Sequence, residues 1–243
     1  MADSRQITDI SHLKTTCPLC TSPDLHYLCP QQQEKSSMFD IHTHHLPALP
    51  GTAIVNAFPE TFVPRTDTWY SVGLHPWHLQ EAEDRTLLCE QACHPRVLAV
   101  GEAGIDKLVP VPVPLQQTVF EDQARLADEL GKPLVIHLVR AVGEVLESRR
   151  RLQPHVPWIV HGFRGKAQLA LDLVRHGLYL SFGVRYQEEA LRKMPADRLF
   201  LETDESDVPI SDLYERAALV RGVTCDELVE TVSRNVQSVF FGH

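Results

Sequence analysis

The chain has 243 residues, 43% of them hydrophobic and 23% charged, with 13 histidines. That is enough for one sizeable core, and it excludes collagen-like, low-complexity and strongly disordered classes. Acidic residues number 32 against 23 basic ones, a net charge of −9, which excludes a tight grip on nucleic acid by bulk charge.

The N-terminal residues MADSRQITDISHLK are polar and lack the apolar stretch and cleavage site of a signal peptide. No apolar run approaches the roughly 20 residues that span a bilayer. The six cysteines (Cys17, Cys20, Cys29, Cys89, Cys93 and Cys225) are spread along the chain, unlike a secreted disulfide scaffold. A cytoplasmic protein without membrane contact is expected. Residues 1–37 read as an irregular N-terminal extension, rich in Ser, Thr, Gln and Pro. Cys17, Cys20, His26 and Cys29 offer the donor types of a tetrahedral zinc site, at a spacing that matches no named motif. The alternative is an unstructured leader, with Met38 opening the regular part, residues 38–243.

From Met38 onward short β-rich apolar runs alternate with helical stretches. Strands are predicted at 38–42, 52–58, 69–74, 96–102, 133–137, 157–161, 178–183 and 198–203. Helices are predicted near 79–94, 115–130, 141–152, 166–176, 187–194 and 224–241. The second and third connections are short and need not hold full helices. Strands alternating with helices in this way predict a compact (β/α)8 TIM barrel. An open doubly wound sheet is the competing architecture, but no glycine-rich phosphate turn follows any strand.

Buried parallel strands should be continuously apolar. Several here end instead in histidines or acids: Asp40, His42 and His44 at the first, His75 at the third, and Glu102 and Asp106 at the fourth. His137 ends the fifth, His161 the sixth, and Glu202 and Asp204 the eighth. A barrel gathers all these ends on one face. His42 and His44 are two apart, so on a strand they point the same way. Imidazole and carboxylate without clustered thiolate suit zinc, manganese, iron or magnesium. Four histidines and two carboxylates can hold two divalent ions about 3.5–4 Å apart, which points to hydrolysis by an activated water.

These motifs together resemble the TatD family of metal-dependent hydrolases, a TIM-barrel branch of the amidohydrolase superfamily. The resemblance runs from residue 38 to 242. It rests on FDIHTH (39–44), GLHPW (73–77), GEAGID (101–106), the helix bearing Gln117, Phe120 and Gln123, KPLVIH (132–137), VHGFRG (160–165), LETD (201–204) and RNVQSVFFG (234–242). It implies divalent-metal-dependent deoxyribonuclease activity, often 3′–5′ exonuclease. It also implies roles: His42, His44 and Asp204 on one metal, His137 and His161 on a second, and Glu102 bridging. Asp204 would orient the water and accept its proton, and His75 would touch substrate. Asp106 would support the loop after the fourth strand, and Glu202 would support the site from behind its ligands. The metals would be two of Mg, Mn or Zn.

The sequence departs from the family pattern in two places. His137-Leu-Val-Arg140-Ala replaces the usual HSRDA, and a short Glu205–Pro209 segment replaces a longer substrate loop. A compact, open cleft is expected. Lys107, Arg140, Arg164, Lys166 and Arg185 follow strand ends and could hold phosphates of DNA ends or a small phosphoester. Lys107, Arg140 and Arg164 are, with His75, the expected substrate contacts. Glu188, Glu189, Glu205 and Asp207 dilute that patch. Trp77 and Phe163 are rings on which a base could stack. Arg149-Arg150-Arg151 reads as a helix-end cap favourable to the helix dipole. Two other readings stand beside the nuclease: hydrolysis of a small amide, ester or lactone at the same metals, and a non-catalytic metal-binding scaffold.

Overall fold

The computed structural model describes residues 37–79 and 85–242. The cysteine–histidine set of residues 17–29 lies outside the described residues. Eight strands are present: β1 (Asp40–Thr43), β2 (Ala53–Ala57), β3 (Trp69–Val72), β4 (Val97–Asp106), β5 (Leu134–Val139), β6 (Trp158–Val160), β7 (Tyr179–Phe182) and β8 (Leu199–Leu201). Each pairs in parallel with the next, in the order β1 to β8. The circle closes where Asp204 N donates to the His42 carbonyl and His44 N donates to the Asp204 carbonyl, both at 3.0 Å. This is the TIM barrel that the alternation predicted, and the open sheet is excluded.

The helices are α1 (Thr86–Ala92), α2 (Val113–Leu130), α3 (Val142–Leu152), α4 (Ala167–Arg175), α5 (Glu188–Lys193), α6 (Ile210–Arg221) and α7 (Cys225–Phe240). Local chemistry fixes their ends. α7 begins on a capping box, in which Thr224 Oγ1 accepts from Glu227 N while the Glu227 carboxylate accepts from Thr224 N. α2 stops at Gly131, whose φ of 64° suits a residue without a side chain.

The third connection holds α1, within the helix predicted near 79–94, whereas the first and second hold no α-helix. Residues 58–68 cover the β2–β3 flank instead: a 3-10 turn at Pro59–Thr61 delivers Phe62 onto Tyr70, with ring centroids 5.2 Å apart. Val55, Val72, Leu74 and Leu88 also belong to that apolar cluster, which is separate from the main core. The main core is the larger of the two and contains the barrel interior and its packing against α2 to α7, with Trp158 set edge-on against Phe120.

The fourth strand also runs further than expected, to Asp106. Gly104 lies opposite His137 in the β4–β5 ladder. A Cβ there would fall on the His137 carbonyl and come within 2.9 Å of its amide nitrogen. Only glycine lets the strands pair this closely. The extension sets Glu102 and Asp106 on one strand, both buried among polar strand ends.

Candidate metal centre

Glu102 is the hub of the barrel's C-terminal face, and only 5% of its surface is exposed. One carboxylate oxygen, Oε1, lies 2.6 Å from His161 Nε2, 2.8 Å from His137 Nδ1 and 3.2 Å from His75 Nε2. The other, Oε2, lies 3.5 Å from His42 Nε2 and 3.6 Å from His44 Nε2. Asp204 Oδ1 faces the same two imidazoles at 3.7 and 3.6 Å. All six residues expected to bind metal are thus brought together.

Asp204 has φ 58°, in the left-handed region that short polar side chains tolerate. Its backbone nitrogen and oxygen close the barrel on β1, and the side chain stays with His42 and His44.

A set of polar residues, of which Asn56, Ser71, Gln116 and Thr203 carried no signal in the sequence, holds this ring in place. Asn56 on β2 accepts from Glu102 N through Oδ1 at 3.0 Å, and Ser71 Oγ donates to the same oxygen. Gln123 on α2 spans the backbone of Leu74, accepting from its N–H at 2.8 Å and donating to its carbonyl at 3.0 Å, which sets the neighbouring His75. Gln116 clamps Asp106 in the same manner. Asp40 accepts from His42 N, Thr203 N and Thr203 Oγ1, tying β1 to the end of β8. Burial pushes its carboxyl up to about 7, against the pull of the Thr203 bonds. Glu202, fully buried, lies 3.3 Å from His161 Nδ1.

The electrostatics follow from crowding imidazoles around one buried carboxylate. Burial opposes the charge on Glu102, but His161 and the hydrogen bonds of His137 and His161 outweigh it and hold the carboxyl well below its usual range. Burial likewise opposes a charged His161, yet Glu102 and Glu202 hold that imidazole well above its usual range. The hydrogen bond to Glu102 raises His44 in spite of its burial. Burial lowers His75, only partly countered by Glu102.

The donors fit divalent ions. Among the described residues, overlapping groups capable of holding a metal are His42–His44–Asp204, His42–Glu102–His161, His75–Glu102–His137 and His161–Glu202–Asp204. Both ring nitrogens of His42, and Glu202 Oε2, are buried without a hydrogen-bond partner. Orphaned buried atoms are costly, and an ion at this point gives the His42 ring a partner. His75, expected against substrate, also belongs to one of these ligand-competent groups.

Metal uptake should therefore release protons. In the metal-free protein Glu102 and Glu202 hold the His161 imidazole well above its usual range, and a metal takes only the neutral imidazole. Affinity should rise with pH until the raised imidazole is titrated. Calorimetry in buffers of different ionisation enthalpy measures this directly, and uptake with no proton release would contradict it.

The surrounding cations divide. Lys107 pairs with Glu144 at 2.5 Å. Arg140 is exposed at the end of β5. Arg164 and Arg185 line a cleft of about 260 Å³ together with Asp204, Glu205 and the β7 end at Gly183. Lys166 is exposed at the start of α4. Phe163 is buried against Phe182 and offers no open face, whereas Trp77 is exposed. Arg149 bonds the His176 and Gly177 carbonyls ahead of β7, on the opposite face of the barrel, and Arg151 pairs with Glu121. Among the described residues no helix is long and apolar enough to cross a membrane.

Known proteins share this architecture. The chain matches the family model described as TatD related DNase over residues 60–241. It is 28% identical over 194 residues to the uncharacterized metal-dependent hydrolase YabD of Bacillus subtilis, covering 70% of this chain and 76% of that one. It is 29% identical over 213 residues to YjjV of Escherichia coli, covering 77% and 81%. A human protein named 3′-5′ RNA nuclease TATDN2 is 35% identical over 151 residues, 56% of this chain but 20% of that one. The crystal structure of YjjV superposes with a TM-score of 0.73 at 22% identity, covering 85% of this chain and 99% of that one. Barrel, ring of histidines and family match agree, and the chain belongs to the TatD family of metal-dependent hydrolases.

Proposed function

We propose that the chain hydrolyses phosphodiester bonds at DNA ends, removing nucleotides from the 3′ end. One observation carries this reading. A buried carboxylate ringed by imidazoles opens, at Asp204, onto a small cleft bearing Arg164 and Arg185. His42, His44 and Asp204 would hold one divalent ion, His137 and His161 a second, and Glu102 would touch both. When bound, the ions lower the pKa of water and polarise a phosphoryl oxygen.

The chain's own groups do the rest. Arg164 and Arg185 bind the phosphate next to the scissile one, where paired charge-assisted bonds fix its orientation. Asp204 Oδ1, at the cleft wall, orients the attacking water and takes its proton. Glu102 is pinned from behind by Asn56 and keeps its charge at neutral pH, so it stays an acceptor throughout. The cleft is short, which suits a chain end better than a long duplex groove.

The test is degradation of 3′- and 5′-labelled single-stranded DNA. EDTA should abolish it, and added Mg²⁺ or Mn²⁺ should restore it. Asp204→Asn should keep the fold and lose about 100-fold or more in turnover. Intact DNA after incubation with metal-loaded protein would end this reading. An RNA substrate belongs in the same assay because TATDN2 is named an RNA nuclease. A second reading, supported by the cleft volume of about 260 Å³, is a small anionic ester, amide or lactone at the same metals. Panels of each bond type, run on one preparation, separate the two.

A further inference from the structure

Trp77 is an exception among the aromatic residues near the centre. It is 53% exposed and belongs to neither apolar cluster. Yet it is held firmly. Its indole Nε1 donates to Asp106 Oδ2 at 2.8 Å, and its backbone N–H donates to His75 Nδ1 at 3.2 Å. Its ring stands edge-on to His75 and His137, with centroids 5.1 and 5.9 Å away. The same Asp106 accepts from Leu108 N at 2.8 Å through Oδ1, and Leu108 is itself 61% exposed. One buried carboxylate thus pins the exposed Trp77 ring and the backbone that carries the exposed Leu108, beside the His75 and His137 imidazoles.

Such a ledge has a restricted chemistry. The one polar atom of the indole is already used by Asp106, so what it offers a ligand is a flat π surface. Ordering that surface in advance removes the entropic cost of fixing it on binding. Its place in the barrel gives it a direction. Trp77 follows β3 and Leu108 follows β4, whereas the Arg164–Arg185 cleft follows β6 and β7. With strands in sequential order, these lie on roughly opposite sides of the Glu102 ring.

We infer that Trp77 is the stacking platform for the base of the terminal nucleotide, with Asp106 as its positioning residue. The preceding phosphates run across the ring to Arg164 and Arg185. This rests on the phosphodiesterase reading and adds to it a requirement for a planar base at the end being removed.

The experiment uses two single-stranded oligonucleotides that differ only at the 3′-terminal nucleotide, one carrying adenine and the other a reduced abasic sugar. Base–aromatic stacking predicts that wild-type protein with Mn²⁺ removes the adenine nucleotide with about tenfold higher kcat/KM. Trp77→Ala should lose about tenfold on the adenine end and no longer distinguish the two. Trp77→Phe should keep the distinction. If Trp77→Ala discriminates as wild type does, or wild type does not discriminate at all, the platform is refuted and the nuclease reading stands. If neither substrate is cut, the nuclease reading falls, and a second measurement judges the platform alone. In EDTA, adenosine should quench tryptophan fluorescence saturably in wild type and not in Trp77→Phe. Absence of quenching in wild type, or equal quenching in both, overturns the inference.

Discussion

Replacing Glu102 by Gln should lower phosphodiester hydrolysis by about 10,000-fold while leaving the barrel folded. The substitution keeps the shape and removes the charge at the point where five imidazoles converge. Glu102 meets His75, His137 and His161 through one oxygen and His42 and His44 through the other. An amide offers one acceptor and two donors, so it cannot serve both sides. The metal-free variant carries a second signature. His161 is held charged chiefly by Glu102, with help from Glu202, so loss of Glu102 lets burial drive that imidazole toward neutrality. Proton release on metal uptake should shrink accordingly. A variant that releases protons as wild type does would show that Glu102 is not what holds the charge on His161.

The same pair sets the pH range of the metal-free protein. Glu102 has a depressed folded pKa, so its contribution is present above the unfolded carboxyl value and is lost as pH falls through the folded one. His161 has a raised folded pKa, so its contribution is complete below the unfolded imidazole value. It is lost as pH rises through the folded one. Both favour the fold near neutrality.

Gly104→Ala has the largest effect expected on stability. The added methyl would meet the His137 carbonyl and approach its carbonyl carbon to 2.7 Å. The obstacle is backbone within a parallel ladder, which cannot swing aside as a flexible side chain does. The cost should be about 3 kcal/mol, at the upper end for overpacking. For a chain of this length that corresponds to about 6–12 °C in Tm. The separation of β4 from β5 would also carry His137 away from Glu102, so metal affinity should fall together with Tm. Thermal melts with and without Mn²⁺ measure both. An unchanged Tm would mean that the two strands can yield without cost.

The barrel was legible because its wall strands obey a simple rule. Runs such as Leu134–Ile136 and Trp158–Val160 are buried on both faces and therefore apolar without a break. The candidate metal ligands were legible for the opposite reason: His137 and His161 interrupt that rule at the strand ends. What could not be read was pairing at a distance. Asn56 is 46 positions from Glu102, and Asp40 is 163 from Thr203. A lone Asn or Asp in an apolar run gives no sign of its partner. Gln123 was noticed, but nothing in its spacing on α2 shows that it clamps Leu74. β4 runs four residues past the predicted end at 102, through Gly104. In the barrel Gly101 and Gly104 are where neighbouring strands come closest. Lys107 looked like a phosphate ligand by its place after a strand, and only folding shows Glu144 against it.

Asp204 divides two tasks between different atoms. Its amide and carbonyl close the barrel on β1, and its carboxylate faces His42 and His44. Any side chain that accepts φ near 58° can perform the first task. Asparagine and glycine do so with little strain. A descendant of this chain could therefore lose this carboxylate by one codon change and still inherit an intact, closed barrel, free to be recruited for another purpose.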